Sequence, residues 1–118
     1  MINCIIIDDE PLALELIREY VLRFPKLQLV QTFDDGFSGV EFLKKSKIDL
    51  VFIDINMPDL NGIDLIRSLT NKPLIIFTTA HKKFAIDGCE LEAVDYLLKP
   101  ISYDRFEKAI QKVIEYSA

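Results

Sequence analysis

Short runs of aliphatic and β-branched residues alternate along the chain with longer stretches whose apolar positions recur at helical spacing. Ile5-Ile6-Ile7 predicts the first strand. After it, Ala13, Ile17, Tyr20 and Phe24 keep the period of one helix face. Pro11 stands near the start, where a helix accepts proline, and Pro25 marks the stop. A second strand is expected at about Leu27 to Phe33, followed by the turn signal Asp34-Asp35-Gly36 and a short helix marked by Phe37, Val40 and Leu43. Leu50-Val51-Phe52-Ile53 has strand length, and Met57-Pro58-Asp59-Leu60-Asn61-Gly62 is dense in turn formers. Ile63, Ile66 and Leu69 then resume the helical period. Leu74-Ile75-Ile76-Phe77 predicts a fourth strand, Phe84 to Cys89 a helix, and Tyr96-Leu97-Leu98 a short fifth strand. Phe106, Ala109, Ile110, Val113 and Ile114 mark the apolar face of a last helix.

Strands apolar on both faces, alternating with helices, predict a parallel sheet covered on both sides. Five strands and five helices in 118 residues fit an α/β fold of one domain spanning residues 1–118. The expected architecture is a doubly wound, flavodoxin-like sheet of order 2-1-3-4-5, an inference made at the level of the fold.

Composition narrows the function classes. A net charge of −5 argues against direct nucleic-acid binding, which leaves a basic footprint. Two cysteines, Cys4 and Cys89, are too few for a disulfide scaffold and match no metal motif. No apolar run approaches the roughly 18 residues of a membrane span. No charged n-region precedes an apolar h-region, so the expected location is the cytoplasm and no membrane partner is expected.

The polar residues carry the chemistry. Four apolar strands run directly into polar side chains: the first into Asp8-Asp9, the third into Asp54, the fourth into Thr78-Thr79 and the fifth into Lys99. In a parallel sheet these ends share one edge, and ligands bind there where the winding reverses, between strands one and three. Asp8, Asp9 and Asp54 are therefore expected to converge. Two unit charges about 4 Å apart repel by roughly 4 kcal/mol at an effective dielectric of 20. Protonation or a cation relieves this, and all-oxygen ligands suit Mg²⁺ or Mn²⁺. Lys99 would offer a point charge to phosphoryl oxygens and Thr79 a hydroxyl. Asp54, alone between Ile53 and Ile55, is the candidate nucleophile for an aspartyl phosphate. Taken singly, each residue has a plainer role. Asp8 or Asp9 can cap the helix that Pro11 opens, Thr79 can form a turn, Lys99 can be solvated, and Asp59 and Asn61 can be turn formers. The weight lies in the ordered set.

That set, Asp8-Asp9-Glu10-Pro11, Asp54-x-x-Met57-Pro58-x-x-x-Gly62, Thr79-Ala80 and Lys99-Pro100, resembles the signature of the CheY-like receiver domains of two-component response regulators, across essentially the whole chain. The resemblance implies Asp54 as phosphoacceptor. It implies Mg²⁺ ligated by Asp9 and Asp54, by Asp8 through a bound water, and by the backbone carbonyl of Asn56. It further implies Thr79 as switch hydroxyl, Lys99 as phosphate-pairing lysine, Tyr96 as switch aromatic, and a cis bond at Lys99–Pro100. The implied donor is the phosphohistidine of a sensor kinase. The implied output face comprises the fourth helix, fifth strand and last helix, through which members often form homodimers. Thr79-Ala80-His81, Phe84-Ala85, Ala93 to Ile101 and Arg105-Phe106 resemble the LytTR subgroup, whose members carry a C-terminal DNA-binding domain. The chain is accordingly expected to be the receiver portion of a longer regulator. Glu92 departs from the family's frequent glycine and places the local turn in question. The resemblance also implies that Asn56 and His81 occupy positions that tune dephosphorylation in the family.

Three rivals differ in class. A phosphatase working through an aspartyl phosphate would need an acid where Asn56 stands, and a cap domain. A degenerate receiver would share the fold and fail to bind metal. A flavin carrier would need a phosphate-binding hydroxyl loop, which the sequence lacks.

Overall fold

The structure, a computed structural model, describes residues 1–58, 61–82 and 93–117. Its elements are β1 (Ile2–Ile7), α1 (Pro11–Leu22), β2 (Leu27–Phe33), α2 (Gly36–Lys45), β3 (Leu50–Asp54), α3 (Gly62–Arg67), β4 (Leu74–Thr79), β5 (Asp95–Leu98) and a C-terminal helix (Tyr103–Ser117). All strand pairs are parallel, in the order β2-β1-β3-β4-β5. This is the expected doubly wound sheet. The helix expected at Phe84 to Cys89, together with Asp59 and Glu92, lies outside the described residues. No described helix is long and apolar enough to cross a membrane.

Side chains along a strand point alternately to the two faces of a sheet. Cys4, Ile6, Leu50, Phe52, Ile76 and Leu97 pack beneath α1 and the C-terminal helix. Ile5, Ile7, Val51, Ile53, Ile75, Phe77 and Tyr96 pack beneath α2 and α3. The same parity, continued past the strand ends, sorts the polar residues. Asp8 follows Cys4 and Ile6, Asp54 follows Leu50 and Phe52, and Lys99 follows Leu97, all toward the α1 side. Thr79 follows Phe77 toward the other side.

Two helices differ from expectation. The buried face of α1 is Leu14, Ile17, Tyr20 and Val21. Ala13 is only half-buried, and Phe24 lies beyond the helix. The Arg23 N–H closes the helix on the carbonyls of Tyr20 and Val21. Pro25 disfavours helical backbone at the residue before it, so Phe24 leaves the helical path. Phe24 packs instead on Tyr103 and Phe106, with ring centroids 6.0 and 5.8 Å away. In α2 the buried residues are Gly36, Gly39 and Val40, while Phe37 is 61% exposed. A Cβ at Gly39 would lie 2.4 Å from the Ile7 side chain, so the helix approaches the sheet through its glycines and turns Phe37 outward. Asp34-Asp35-Gly36 becomes the start of α2, with Asp35 Oδ1 accepting from the Ser38 N–H at 2.7 Å.

Gly62 places α3 against the end of β3. Its N–H donates to the Ile55 carbonyl at 2.9 Å, and a Cβ there would meet the Asp54 carbonyl oxygen at 2.4 Å. Asn61 caps α3 by accepting from the Ile63 N–H at 2.8 Å.

Candidate functional site

The parallel register brings the strand ends to one edge. Asp54 pairs with Thr78, Thr79 pairs with Leu98, and the Lys99 N–H donates to the Thr79 carbonyl at 2.7 Å. From the end of β5, the Lys99 side chain reaches back over the edge to three carboxylates. Its Nζ lies 3.3 Å from Asp54 Oδ2, 3.0 Å from Asp8 Oδ2 and 2.5 Å from Glu10 Oε1. The Lys99–Pro100 peptide bond is cis.

Asp8 and Asp54 are almost wholly buried. Burial pushes the Asp54 carboxyl up to about 6; the Lys99 charge opposes this, the neighbouring Asp8 charge adds to it, and the Asn56 N–H, which donates to Oδ1 at 3.1 Å, opposes it. Burial likewise raises Asp8, against the pull of the Glu10 N–H and of Lys99. Burial disfavours the Lys99 ammonium, but its bonds to Glu10 and Asp8 and the surrounding negative charge outweigh this and hold it above its ordinary value. One ammonium thus serves three carboxylates, and negative charge remains in excess.

This excess suits a further cation. Asp8, Glu10 and Asp54 each offer an oxygen within 4.8 Å of the others. Lys99 already makes ion pairs with all three residues. Space for an ion lies alongside, in an open groove of about 610 Å³ lined by Asp9, Glu10, Ile55, Asn56, Met57, Pro58 and Asn61. Asp9 Oδ1 is buried and has no hydrogen-bond partner among the described residues. Asp8 Oδ2 makes only its ionic contact with Lys99, without hydrogen-bond alignment. The orphaned Asp9 oxygen beside a carbonyl-bearing loop fits a hard, oxygen-ligated ion.

The structure therefore divides the expected acids. Asp8 and Asp54 meet at Lys99, while Asp9 and Asn56 line the adjoining groove. Thr79 Oγ1 accepts from the Asn56 side-chain amide at 3.3 Å and from the His81 backbone N–H at 3.0 Å. Tyr96 is buried, its ring centroid 5.3 Å from that of Phe77.

Two features escaped the sequence reading. Glu10 belongs to the recognised motif, yet no role attaches to it from sequence; its place next to the acidic pair and before a helix-opening proline was the available signal. Asp95, nearly buried at the start of β5, is held by Arg105 at 2.6 and 2.8 Å and by Lys112 at 3.2 Å. The spacing of Asp95 and Arg105, on different elements, carries no signature of contact. Neither Asp8 nor Asp9 caps α1: Glu10 occupies the N-cap position without a side-chain capping bond, and Asp8 Oδ1 accepts from the Glu10 N–H at 2.9 Å.

Comparison with known proteins agrees with this geometry. Residues 4–111 match the response regulator receiver domain family. The transcriptional regulatory protein YpdB of Escherichia coli K12 is 38% identical over 112 residues, which cover 92% of this chain and 46% of that protein. The sensory transduction protein LytR of Staphylococcus haemolyticus is 39% identical over 112 residues, covering 92% of this chain and 44% of its own. The chain thus spans less than half the length of these relatives. The crystal structure of the response regulatory domain of mrkE from Klebsiella pneumoniae superposes with a TM-score of 0.86 at 37% identity, covering 98% of this chain and 97% of that one. A five-stranded sheet with acids and a lysine gathered at one edge, matched over nearly its full length by these proteins, makes the chain a member of the response regulator receiver domain family.

Proposed function

We propose that the chain is a phosphoacceptor switch in which Asp54 takes a phosphoryl group from a phosphohistidine of a sensor histidine kinase. The observation that carries this reading is the contact of a buried Asp54 with Lys99, 3.3 Å apart at the carboxyl edge of the sheet. An Asp54 carboxyl near 6 is mostly ionised at neutral pH, so an oxygen is available to attack phosphorus. The oxygen–phosphorus bond forms as the phosphorus–nitrogen bond of the donor breaks, and the imidazole leaves with the electron pair and takes up a proton. Lys99 offsets charge on the transferring oxygens. Asp9, Asp54 and the Asn56 carbonyl would hold Mg²⁺ (or Mn²⁺), with Asp8 acting through a bound water, and the ion would supply further charge neutralisation.

The domain promotes its own phosphorylation and slow hydrolysis and turns over no other substrate. Thr79 and Tyr96 would couple the phosphorylated state to the face that includes β5 and the C-terminal helix, by biasing two preexisting conformations. That face is the proposed homodimer surface. The output is proposed to be a LytTR-type DNA-binding domain in a longer cytoplasmic protein, a reading supported by the length and names of the relatives.

Intact mass after incubation with acetyl phosphate and Mg²⁺ tests the acceptor. The chain is expected to gain one phosphoryl mass, and Asp54→Asn to gain none. Retention of the added mass in the Asn variant would move the acceptor elsewhere.

A further inference from the structure

Glu10 occupies the N-cap position of α1 with φ −92° and ψ 112°, yet its side chain makes no capping hydrogen bond. It reaches instead to a residue 89 positions away, and its Oε1 accepts from Lys99 Nζ beside the oxygens of Asp8 and Asp54. The backbone beneath it is braced, because the Glu10 N–H donates to Asp8 Oδ1 at 2.9 Å and Pro11 opens the helix. The three carboxylates around Lys99 differ in freedom. The side chains of Asp8 and Asp54 are 1% and 3% exposed, whereas that of Glu10 is 58% exposed. Glu10 can swing into solvent without moving the sheet; the two aspartates cannot.

We propose that Glu10 is a removable restraint on Lys99, holding the ammonium toward the mouth of the pocket at rest and releasing it when a phosphoryl group arrives on Asp54. Glu10 is thus a positioning residue, acting through Lys99. The proposal rests on the phosphoacceptor reading and deepens it, since it names the residue that sets how readily Lys99 engages the phosphoryl oxygens. The energetics favour release. Phosphorylation replaces the single charge of the Asp54 carboxylate with close to two on the phosphoryl oxygens in a buried site, where attraction to the ammonium is screened weakly. The pair with Glu10 has one largely exposed partner, is screened by water and salt, and is correspondingly weak. It shifts the equilibrium by a modest factor and leaves the phosphorylated arrangement reachable.

Charge and reach are separable. Glu10→Gln keeps the length and removes the charge. Glu10→Asp keeps the charge and shortens the arm by one methylene. Two readouts apply to the full chain: trace acetylation of Lys99 followed by peptide mass, and affinity for beryllofluoride at saturating Mg²⁺, with Mg²⁺ affinity measured separately. Lys99 is expected to acetylate several-fold faster in both variants. Beryllofluoride is expected to bind about fivefold tighter to Glu10→Gln, equivalent to about 1 kcal/mol, and Glu10→Asp is expected to follow it while keeping the Mg²⁺ affinity of the parent. Unchanged Lys99 acetylation would overturn the proposal. So would a beryllofluoride affinity that falls in step with Mg²⁺ affinity, since Glu10 would then act only by attracting the ion. If the parent chain binds no beryllofluoride, the phosphoacceptor reading fails, and the hold of Glu10 on Lys99 stands or falls on the acetylation rates alone.

Discussion

Two ionic clusters flank β5, and their stoichiometries are opposite. Just past the end of the strand, the Lys99 ammonium faces three carboxylates, from Asp8, Glu10 and Asp54. At its start, the Asp95 carboxylate faces two cations, Arg105 and Lys112. Burial acts against the charged acid in both places, with opposite results. At Asp54 burial and the charge of Asp8 outweigh Lys99, and the carboxyl rises to about 6. At Asp95 the hydrogen bonds from Arg105 and the Tyr96 N–H, with the nearby positive charge, outweigh burial and hold the carboxyl below its ordinary value. The same kinds of side chain thus make a fastening where cations are in excess and a pocket with unbalanced negative charge where acids are.

The largest stability effect is expected from breaking the fastening. Arg105→Ala removes a bidentate partner from a nearly buried carboxylate and leaves it Lys112 and the Tyr96 N–H. A buried pair broken on one side costs about 3–5 kcal/mol. Arg105 is 39% exposed, so a loss of about 2–3 kcal/mol is expected in urea unfolding. An unchanged midpoint would mean that Asp95 is satisfied without the guanidinium.

The matching change in the pocket should have the opposite sign. The Asp54 carboxyl lies at about 6 in the fold against an ordinary 3.8. At about 1.4 kcal/mol per pH unit of separation, its charged form costs the fold on the order of 2–3 kcal/mol at neutral pH. Asp54→Asn in metal-free buffer is therefore expected to stabilise the chain by about 2 kcal/mol. Because this carboxyl is raised, the stability associated with its protonated form is fully present below pH 3.8 and is lost as pH rises through about 6. The gap between variant and parent should accordingly close on acidification from pH 7 toward 4. Asp95 runs the other way: its carboxyl is lowered, so its contribution is present above the ordinary carboxylate range and is lost as pH falls through the folded value. Equal gaps at both ends of that pH range would refute the contrast between the clusters.

The smallest effect concerns the segment joining them. Tyr20 Oη donates to the buried Ile101 carbonyl at 2.9 Å, two residues after Lys99 and four before Arg105. Tyr20→Phe leaves that carbonyl unsatisfied and should cost about 1 kcal/mol by thermal unfolding. A loss as large as that of Arg105→Ala would make this bond, and not the Asp95 cluster, the chief tie between β5 and the C-terminal helix.

Most of this architecture was legible before any coordinates. Apolar runs of strand length and helical periods located all nine described elements to within a few residues, because burial on both sheet faces demands unbroken aliphatic strands. The gathering of Asp8, Asp54 and Lys99 at one edge was legible from the strand ends. Their common side could also have been read, since each shares parity with the strand residues that pack beneath α1. Asp9 has the opposite parity to Asp8, which is why it opens onto the groove with Asn56 and does not join Lys99. Phe37 marks α2 as expected, but its 61% exposure is not legible from the period, since an apolar residue near a helical period reads as core. The approach of α2 through Gly36 and Gly39 fixes the true face, and no period in the sequence reveals how closely a helix will sit.

The sequence by itself determined the periods, the punctuation and the order of polar strand ends, because these depend on neighbours a few residues apart and on the fixed geometry of strands and helices. Only the tertiary structure decided that Lys99 spends itself on Glu10 as well as on Asp8 and Asp54, and that Asp95 is claimed by Arg105 and Lys112. Those pairings turn on ångström differences between side chains brought together from distant parts of the chain, and electrostatic energy in a buried site changes steeply over such distances.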